Sequence, residues 1–191
     1  MLKEPLNKPT PGSSRTGNAS NAESDEQLLS RIKEGSQASL EILYKRYFPR
    51  LSRFITQITQ DAHETLDIIN EVFLSVWNDA EKFRGDSSLS TWIIGIAYNK
   101  SLSALRKKRK WLSFTDELPD APIPEHEEPQ RADDIRQAMK RLKPEQRAMV
   151  ELTYYFGYSY DEIAQMLDCK AIKVRDQLYM ARKQIKSAVS A

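Results

Sequence analysis

The sequence has too little cysteine and histidine for disulfide or metal chemistry. Cys169 is the only cysteine, so no internal disulfide can form, which fits a reducing compartment. The two histidines, His63 and His126, stand at no metal-ligand spacing with each other or with Cys169. His63 is followed by Glu64 but lacks the second histidine of a metalloprotease helix. We therefore expect no metal and no cofactor.

Catalytic signatures and membrane segments are also missing. Gly85 and Gly95 belong to no phosphate-binding loop, and no nucleophile accompanies the carboxylates, so an enzyme is not expected. The most apolar stretch, near Ile93–Tyr98, is far too short to span a bilayer. Residues 1–21 are rich in Pro, Gly, Ser and Asn and lack a signal-peptide core. The expectation is a soluble cytoplasmic protein whose residues 1–23 form a disordered leader.

The positive charge is local. The formal net charge is only +2, so a global positive field cannot carry nucleic-acid binding. Basic residues are instead concentrated in Arg106–Lys110. Residues 111–129 follow with four prolines, six acids and no Lys or Arg. Proline at this density forbids a long helix, so this segment predicts a flexible acidic linker.

Apolar residues recur at steps of three and four, and no alternating strand pattern appears. In the first half we predict helices from Ser24 to near Gly35, over Leu40–Ile58 with an interruption at Pro49, and after a cap at Asp61. A fourth helix is predicted from about Trp92 to Lys110, with a cap at Ser90 or Thr91. In the second half we predict helices over about 132–142, 144–155, 160–167 and 170–188. The predicted fold is all-α, with two small helical domains, 24–110 and 130–191, joined by the Pro-rich linker.

The last two predicted helices form a candidate helix-turn-helix. Small Ala164 permits close approach of the helices, and Asp168 tolerates the left-handed conformation that the turn needs. Val174 and Leu178 supply apolar contacts. In a helix-turn-helix the second helix enters the major groove of DNA. An αα-hairpin that only builds core gives the same pattern, so both interpretations stay open.

Three further groups of residues have alternative interpretations. Arg106 and Lys110 share a helix face with Arg109 that can meet successive phosphates, although a basic helix end also complements the helix dipole. Phe83, Trp92 and Tyr98 flank a glycine loop and suit stacking of single-stranded bases, or they are plain core residues. A third group, formed by Asp67, Asn70 and Glu71, lies on one polar helix face, which is either solvated or a docking surface for another protein's helices.

Taken in order, these segments resemble the bacterial extracytoplasmic-function sigma factors. The segments that resemble the first domain of that family are Leu43–Tyr47, Asp67–Trp77, Phe83–Gly85, Ser90–Trp92 and Ile96–Asn99. Those that resemble its second domain are Leu142–Arg147, Tyr158–Ala164 and Ala181–Lys183. The resemblance covers about residues 24–188, and the co-linear set is far more specific than any single motif.

The resemblance implies an RNA polymerase sigma factor that directs core enzyme to promoters and assists promoter melting. The implied partners are core RNA polymerase, through the clamp helices of its largest subunit and its flap, promoter DNA and an anti-sigma factor. The implied polymerase-binding residues are Asp67, Asn70 and Glu71. The residues implied to bind the −10 element are Phe83, Arg84, Trp92, Asn99, Arg106, Arg109 and Lys110. Those implied to bind the −35 element are Lys170, Lys173, Arg175, Asp176, Gln177 and Arg182.

The chain departs from the family pattern at several of these positions. Asn70 is usually Gln, and relatives usually carry small or basic residues at Lys173, Asp176, Gln177 and Met180. The −35 preference is therefore not transferable from relatives. The open alternatives are a stand-alone helix-turn-helix regulator and an all-helical scaffold protein.

Overall fold

The computed structural model describes residues 23–112 and 130–189 of the chain, and within these ranges it contains helices and no β-strand. The helices are α1 (Asp25–Lys33), α2 (Gln37–Thr59), α3 (Ala62–Asp79), α4 (Leu89–Leu112), α5 (Gln130–Arg141), α6 (Pro144–Val150), α7 (Tyr160–Met166) and α8 (Ala171–Val189). A 3₁₀ turn covers Ala80–Lys82 and a π-helical segment covers Glu151–Tyr155. The all-α prediction is confirmed. The predicted leader, apart from Glu23, and linker residues 113–129 lie outside the described residues.

Short polar side chains begin the helices of the first half. Ser24 and Gln27 form the predicted capping box at α1, and Asp61 accepts from the backbone N–H groups of His63 and Glu64 at 3.0 and 3.1 Å. The predicted cap of α4 was wrong. Ser88 supplies it, because its Oγ accepts from the Thr91 N–H at 3.1 Å and thereby satisfies a donor of the first turn.

Pro49 does not interrupt the second helix as predicted, because α2 runs unbroken from Gln37 to Thr59. A proline inside a helix removes one backbone hydrogen bond and costs about 3 kcal/mol. The apolar stripe of α2 is buried on both sides of Pro49, at Leu43 and Tyr47 before it and at Leu51 after it. Burying several such side chains, at about 1.5–3 kcal/mol each, outweighs that cost.

The helix predicted over 144–155 changes its winding in the middle. It is α-helical up to Val150 and π-helical over Glu151–Tyr155, where the Phe156 N–H donates to the Glu151 carbonyl at 3.1 Å. Gly157, with a φ of 74°, ends the segment. A π-helical turn contains one residue more than an α-helical turn, and such turns are frequent at functional sites.

The predicted helix-turn-helix is formed by α7 and α8. Ser159 and Glu162 make a capping box at the start of α7. Asp168 has a φ of 49°, which confirms the predicted left-handed residue, and the Cys169 N–H donates to the Ala164 carbonyl at 2.9 Å. The turn is thereby fixed, and it sets the direction in which α8 leaves α7.

The two helical domains, α1–α4 and α5–α8, are in direct contact. Their buried apolar residues form one continuous core, with α6 packed on α2 and α7 packed on α4. The two backbones approach closely at Gly95 of α4, where a Cβ would lie 2.9 Å from the Met166 carbonyl oxygen. We call this packing the closed arrangement.

None of the described helices is both long enough and apolar enough to cross a membrane.

Candidate functional site

The acidic face of α3, formed by Asp67, Asn70 and Glu71, is exposed as a unit. Glu71 also accepts from the Lys100 ammonium of α4 at 3.3 Å. Two apolar side chains lie beside this face on the same helix, Leu66 at 49% exposure and Leu74 at 59%. The face thus carries exposed apolar area beside its carboxylates.

A groove between α3 and α4 brings two of the predicted sites together. It is lined by Glu64, Asp67, Ile68, Glu71, Asn99, Lys100, Ser103, Ala104, Lys107, Lys108 and Trp111. Asn99, which was predicted for the −10 element, therefore lies beside the acidic face of α3. One wall of the groove is acidic and the other is basic.

Phe83 and Trp92 contact each other at the loop that precedes α4. Their ring centroids are 5.3 Å apart with the planes tilted by 47°, and both side chains are half-buried. Arg84 is exposed beside them, in a shallow concavity that also includes Gly85 and Asp86. The loop thus presents an aromatic pair and a guanidinium at one place, which suits the capture of an unstacked base and its backbone.

The basic residues at the end of α4 do not all lie on the same surface. Arg106 and Arg109 are exposed and line a cleft together with Lys143, Pro144 and Glu145 at the start of α6. Lys110, predicted to act with them, is exposed but does not line that cleft.

Lys108, in the same basic segment, turns to the other side of α4 and donates to Asp61 at 2.9 Å. This hydrogen bond, followed by the one from the Glu64 N–H, lowers the pKa of the Asp61 carboxyl.

The recognition helix α8 has the predicted inward stripe. Val174, Leu178 and Ala181 are buried, and Ile185 packs against the core. The predicted −35 residues that are exposed are Lys170, Lys173, Arg175, Asp176 and Arg182.

Gln177 is the exception among the predicted −35 residues, because it is half-buried beside the inward stripe. Arg175 and Asp176 pair with each other, with the Arg175 Nε 3.4 Å from the Asp176 Oδ1. This contact partly neutralises the acid that otherwise opposes the approach of phosphate.

Sequence reasoning missed a polar cluster between the two domains. The Arg50 guanidinium contacts the Tyr158 hydroxyl, which lies 2.9 Å from the Ser90 Oγ, and it stacks over the Phe156 ring at 4.7 Å. Arg53 pairs with the buried carboxylate of Glu151. The available signal was the acid Glu151 within an otherwise apolar and aromatic stretch after α6, but nothing local identifies its partner on α2.

Arg147 adds a third contact between the domains. One guanidinium nitrogen donates to the carbonyls of Lys140 and Leu142, at 3.1 and 2.6 Å, within its own domain. The other donates to the Ile58 carbonyl near the end of α2 at 2.7 Å. Arg147 is almost fully buried, and these acceptors satisfy most of its donors.

Cys169 lies at the turn between α7 and α8 and is half-buried. Burial raises the pKa of its thiol, which keeps it protonated at neutral pH. Among the residues that the structure describes, no group of three or more His, Cys, Asp or Glu side chains is arranged to hold a metal ion.

Comparison with known families accounts for both domains. Residues 43–111 match the family model of sigma-70 region 2, and residues 132–185 match that of sigma-70 region 4. The two matches are co-linear and together cover more than half of the chain.

Relatives of similar length match along almost all of their own sequence. The chain is 28% identical over 182 residues to the RNA polymerase sigma-H factor of Pseudomonas aeruginosa, covering 87% of this chain and 94% of the relative. It is 26% identical over 180 residues to the ECF RNA polymerase sigma-E factor of Escherichia coli, covering 86% and 94%.

Solved structures with the same fold include the sigma factor RpoE and the protein CnrH. RpoE of Bartonella quintana, in complex with the anti-sigma factor NepR, has a TM-score of 0.67 and 18% identity over 79% of this chain and 98% of that one. CnrH, in complex with the cytosolic domain of CnrY, has a TM-score of 0.63 and 19% identity over 87% and 97%.

The fold and the two matched regions define a bacterial transcription initiation factor of the sigma-70 family, and the chain belongs to that family. Within it, the chain is an RNA polymerase sigma factor of the extracytoplasmic-function group. The stand-alone regulator is not favoured, because such a regulator has no need of a region 2 domain.

Proposed function

We propose that the chain binds core RNA polymerase and directs it to a specific set of promoters, where it recognises two DNA elements and assists melting at one of them. The observation that carries this proposal is the co-linear match of regions 2 and 4, with an exposed docking or DNA-binding face on each of the two helical domains.

Residues 24–110 form the domain that binds polymerase and the −10 element. The acidic face of α3 docks on the clamp helices of the largest polymerase subunit, with Leu66 and Leu74 supplying apolar contact area beside it. The exposed carboxylates and the amide favour a basic partner helix. The flap of polymerase is the corresponding partner of the second domain.

At the −10 element, melting requires a place for bases that leave the stack. The Phe83–Trp92 pair offers an aromatic surface for one such base, and Arg84 lies where it can hold the backbone. Asn99, Arg106, Arg109 and Lys110 continue along α4 and contact the same strand and the upstream duplex, chiefly through phosphates.

Residues 130–191 form the domain that reads the −35 element. The recognition helix α8 enters the major groove, and its exposed Lys170, Lys173 and Arg175 meet phosphates and base edges. Residues 111–129 connect this domain to the first and hold the second DNA contact at high effective concentration once the first has formed.

The two DNA elements lie a couple of helical turns apart, a distance of roughly 70 Å. In the closed arrangement, α6 packs directly on α2 and α7 on α4. Simultaneous contact with both elements therefore requires the domains to separate, and the linker to span the gap between them.

The chain acts in the cytoplasm, where polymerase works, and contributes no catalytic group of its own. An anti-sigma factor is a further partner. This is supported by the fold that the chain shares with RpoE, solved with NepR, and with CnrH, solved with a domain of CnrY.

Run-off transcription with purified core polymerase tests the proposal. Promoters are first located by mapping transcript starts after overexpression of the chain. We expect initiation from those promoters only when core enzyme and the chain are both present. Tight binding to duplex DNA without polymerase, combined with no initiation, would identify a stand-alone regulator instead, and neither activity would identify a scaffold.

A further inference from the structure

The outward side of the recognition helix is mainly apolar at its centre. With 3.6 residues per turn, the positions opposite the buried Val174–Leu178–Ala181 stripe are Ile172, Asp176 and Lys183, with Tyr179 and Met180 on either side. Three of these five are large apolar side chains, exposed by 48% at Ile172, 63% at Tyr179 and 47% at Met180.

Basic residues flank this apolar centre on both sides. Lys173 lies next to Met180 on one side, and Arg175 and Arg182 lie next to Tyr179 on the other, all three exposed. A helix in the major groove has a phosphate backbone on each side and base edges in front of it. The charge distribution of α8 matches that arrangement over Ile172–Met180, because Lys173 and Arg175 face the two backbones and the apolar side chains face the bases; Lys183 lies on the same central face one turn beyond.

The apolar group that a major groove offers is the C5 methyl of thymine. We propose that Ile172 and Met180 contact thymine methyl groups of the −35 element and thereby determine part of the promoter sequence. This inference rests on the proposed function. Ile172 and Met180 are eight positions apart, so they reach bases separated by about 12 Å along the helix axis.

Two polar groups remain on this face, Asp176 and Lys183, and Asp176 is the one within the span from Ile172 to Met180. Asp176 lies between the two apolar residues and accepts hydrogen bonds only, so it favours an amino group on an adjacent base. Arg175 pairs with Asp176 and is flanking rather than central, which reduces its availability for bidentate recognition of guanine. The chain thus reads thymine methyls where other recognition helices use guanidinium groups.

The test removes single methyl groups from the DNA. A duplex bound by the complex of the full-length chain with core polymerase is first selected from a random-sequence duplex library at fixed salt. Each thymine of the selected duplex is then replaced in turn by deoxyuridine, which lacks only the C5 methyl, and binding is measured by fluorescence anisotropy. Burial of one methyl predicts about fourfold weaker binding at each thymine that the helix contacts.

Two variants assign the contacts to residues, and a matched control accompanies them. Ile172→Ser and Met180→Gln should each bind the selected duplex about fourfold more weakly than the wild type. Each variant should then bind equally well whether the thymine that its changed residue contacts in the wild type is present or is replaced by deoxyuridine. Ile135→Ser is the control, because Ile135 on α5 has the same 48% exposure as Ile172 and belongs to no proposed DNA-binding surface. All three side chains are exposed, and circular dichroism verifies that the helices are retained.

The outcomes separate the inference from the proposed function. The inference is supported if deoxyuridine weakens binding at particular positions in the wild type, and if the effect at each of these positions is lost in one of the two variants. Equal deoxyuridine effects in wild type and both variants, with transcription intact, overturn it and leave the proposed function standing. If Ile172→Ser weakens binding to core polymerase but not to DNA, the face receives protein and the inference also fails. Absence of both duplex binding and polymerase-dependent initiation overturns both.

Discussion

Arg53 of α2 and Glu151 of the π-helical segment form an ion pair across the two helical domains. The Arg53 Nη2 lies 3.4 Å from the Glu151 Oε2, its Nε contacts the other carboxylate oxygen, and the guanidinium stacks over Tyr155 at 3.5 Å. The Glu151 side chain is only 5% exposed and that of Arg53 is 42% exposed. The closed arrangement therefore buries a carboxylate that has its charge partner on the other domain.

Reversing the charge of Arg53 should open the closed arrangement. Arg53→Glu places a second carboxylate against Glu151, and we expect closed molecules to become less populated by about tenfold, allowing for the partial exposure of Arg53. Small-angle X-ray scattering should report a larger radius of gyration. Lys45→Glu is the control, because it reverses an exposed ion pair, with Glu41, that lies within α2 itself. An unchanged scattering curve for Arg53→Glu would contradict the prediction.

Gly95→Ala should open the same interface without any change of charge. The added Cβ would meet the Met166 carbonyl at 2.9 Å, which the backbone of α7 cannot easily avoid. In the open form the same change stabilises α4 by up to about 1 kcal/mol. Both effects favour separation. Added salt should reduce the effect of Arg53→Glu and leave that of Gly95→Ala unchanged, and equal salt dependence would argue against the steric cause.

Removing the acidic face of α3 should weaken binding to polymerase. The combined change of Asp67, Asn70 and Glu71 to Ala should lower affinity for core enzyme at least tenfold, about 1.4 kcal/mol, since it removes both carboxylates that face a basic partner. Fluorescence titration with labelled core enzyme measures this. Glu26→Ala, an exposed acid on α1, serves as the control. Unchanged affinity of the triple variant would assign the docking surface elsewhere.

The contact between Asp61 and Lys108 should make stability depend on pH. Because the pKa of Asp61 is lowered in the folded protein, its carboxylate stabilises the fold above the ordinary value near pH 4, and this contribution is lost as the pH falls below it. Asp61→Asn retains a capping side chain but loses the charge. Urea unfolding should show a deficit for Asp61→Asn at pH 7 that shrinks at pH 3. A deficit equal at both pH values would mean that the charge of Asp61 contributes nothing.

The aromatic pair at the start of α4 should matter for promoter melting more than for polymerase binding. Trp92→Leu removes the ring that contacts Phe83 and that we propose stacks on a captured base, a contact worth about 1–3 kcal/mol per base. Permanganate footprinting should show fewer reactive thymines at the −10 element. Trp92→Phe keeps a ring and should retain most of the reactivity. Loss of reactivity in both variants would indicate a packing defect instead of lost stacking.

Local signals in the sequence predicted the helices and several of their ends. Ser24 with Gln27 predicts a capping box, Asp61 a cap, and Asp168 a left-handed residue, because each depends on neighbours within a few positions. The same local reasoning was wrong at Pro49. There the cost of one lost hydrogen bond is local, but the burial that outweighs it depends on helices packed from elsewhere in the chain.

Some features of the candidate site also follow from local sequence, and others depend on how the helices pack. Exposure of the acidic face of α3 and of most basic residues of α8 follows from helical periodicity, and the structure places them as predicted. The half-buried position of Gln177 and the apolar centre of α8 depend on how α8 is rotated in its domain. The pairing of Arg53 with Glu151 joins residues 98 positions apart, so no local pattern could have indicated it.

The hydrogen bonds of Arg147 bear on the reversibility of domain separation. Its guanidinium keeps two acceptors within its own domain, the Lys140 and Leu142 carbonyls, whichever arrangement the domains adopt. Opening exposes only the nitrogen that donates to Ile58, and that nitrogen and the Ile58 carbonyl both then meet water. The buried Arg147 Nε has no hydrogen-bond partner in the closed arrangement, so opening creates no further unpaired buried polar group at this point. The two halves can thus part and meet again here without either of them unfolding.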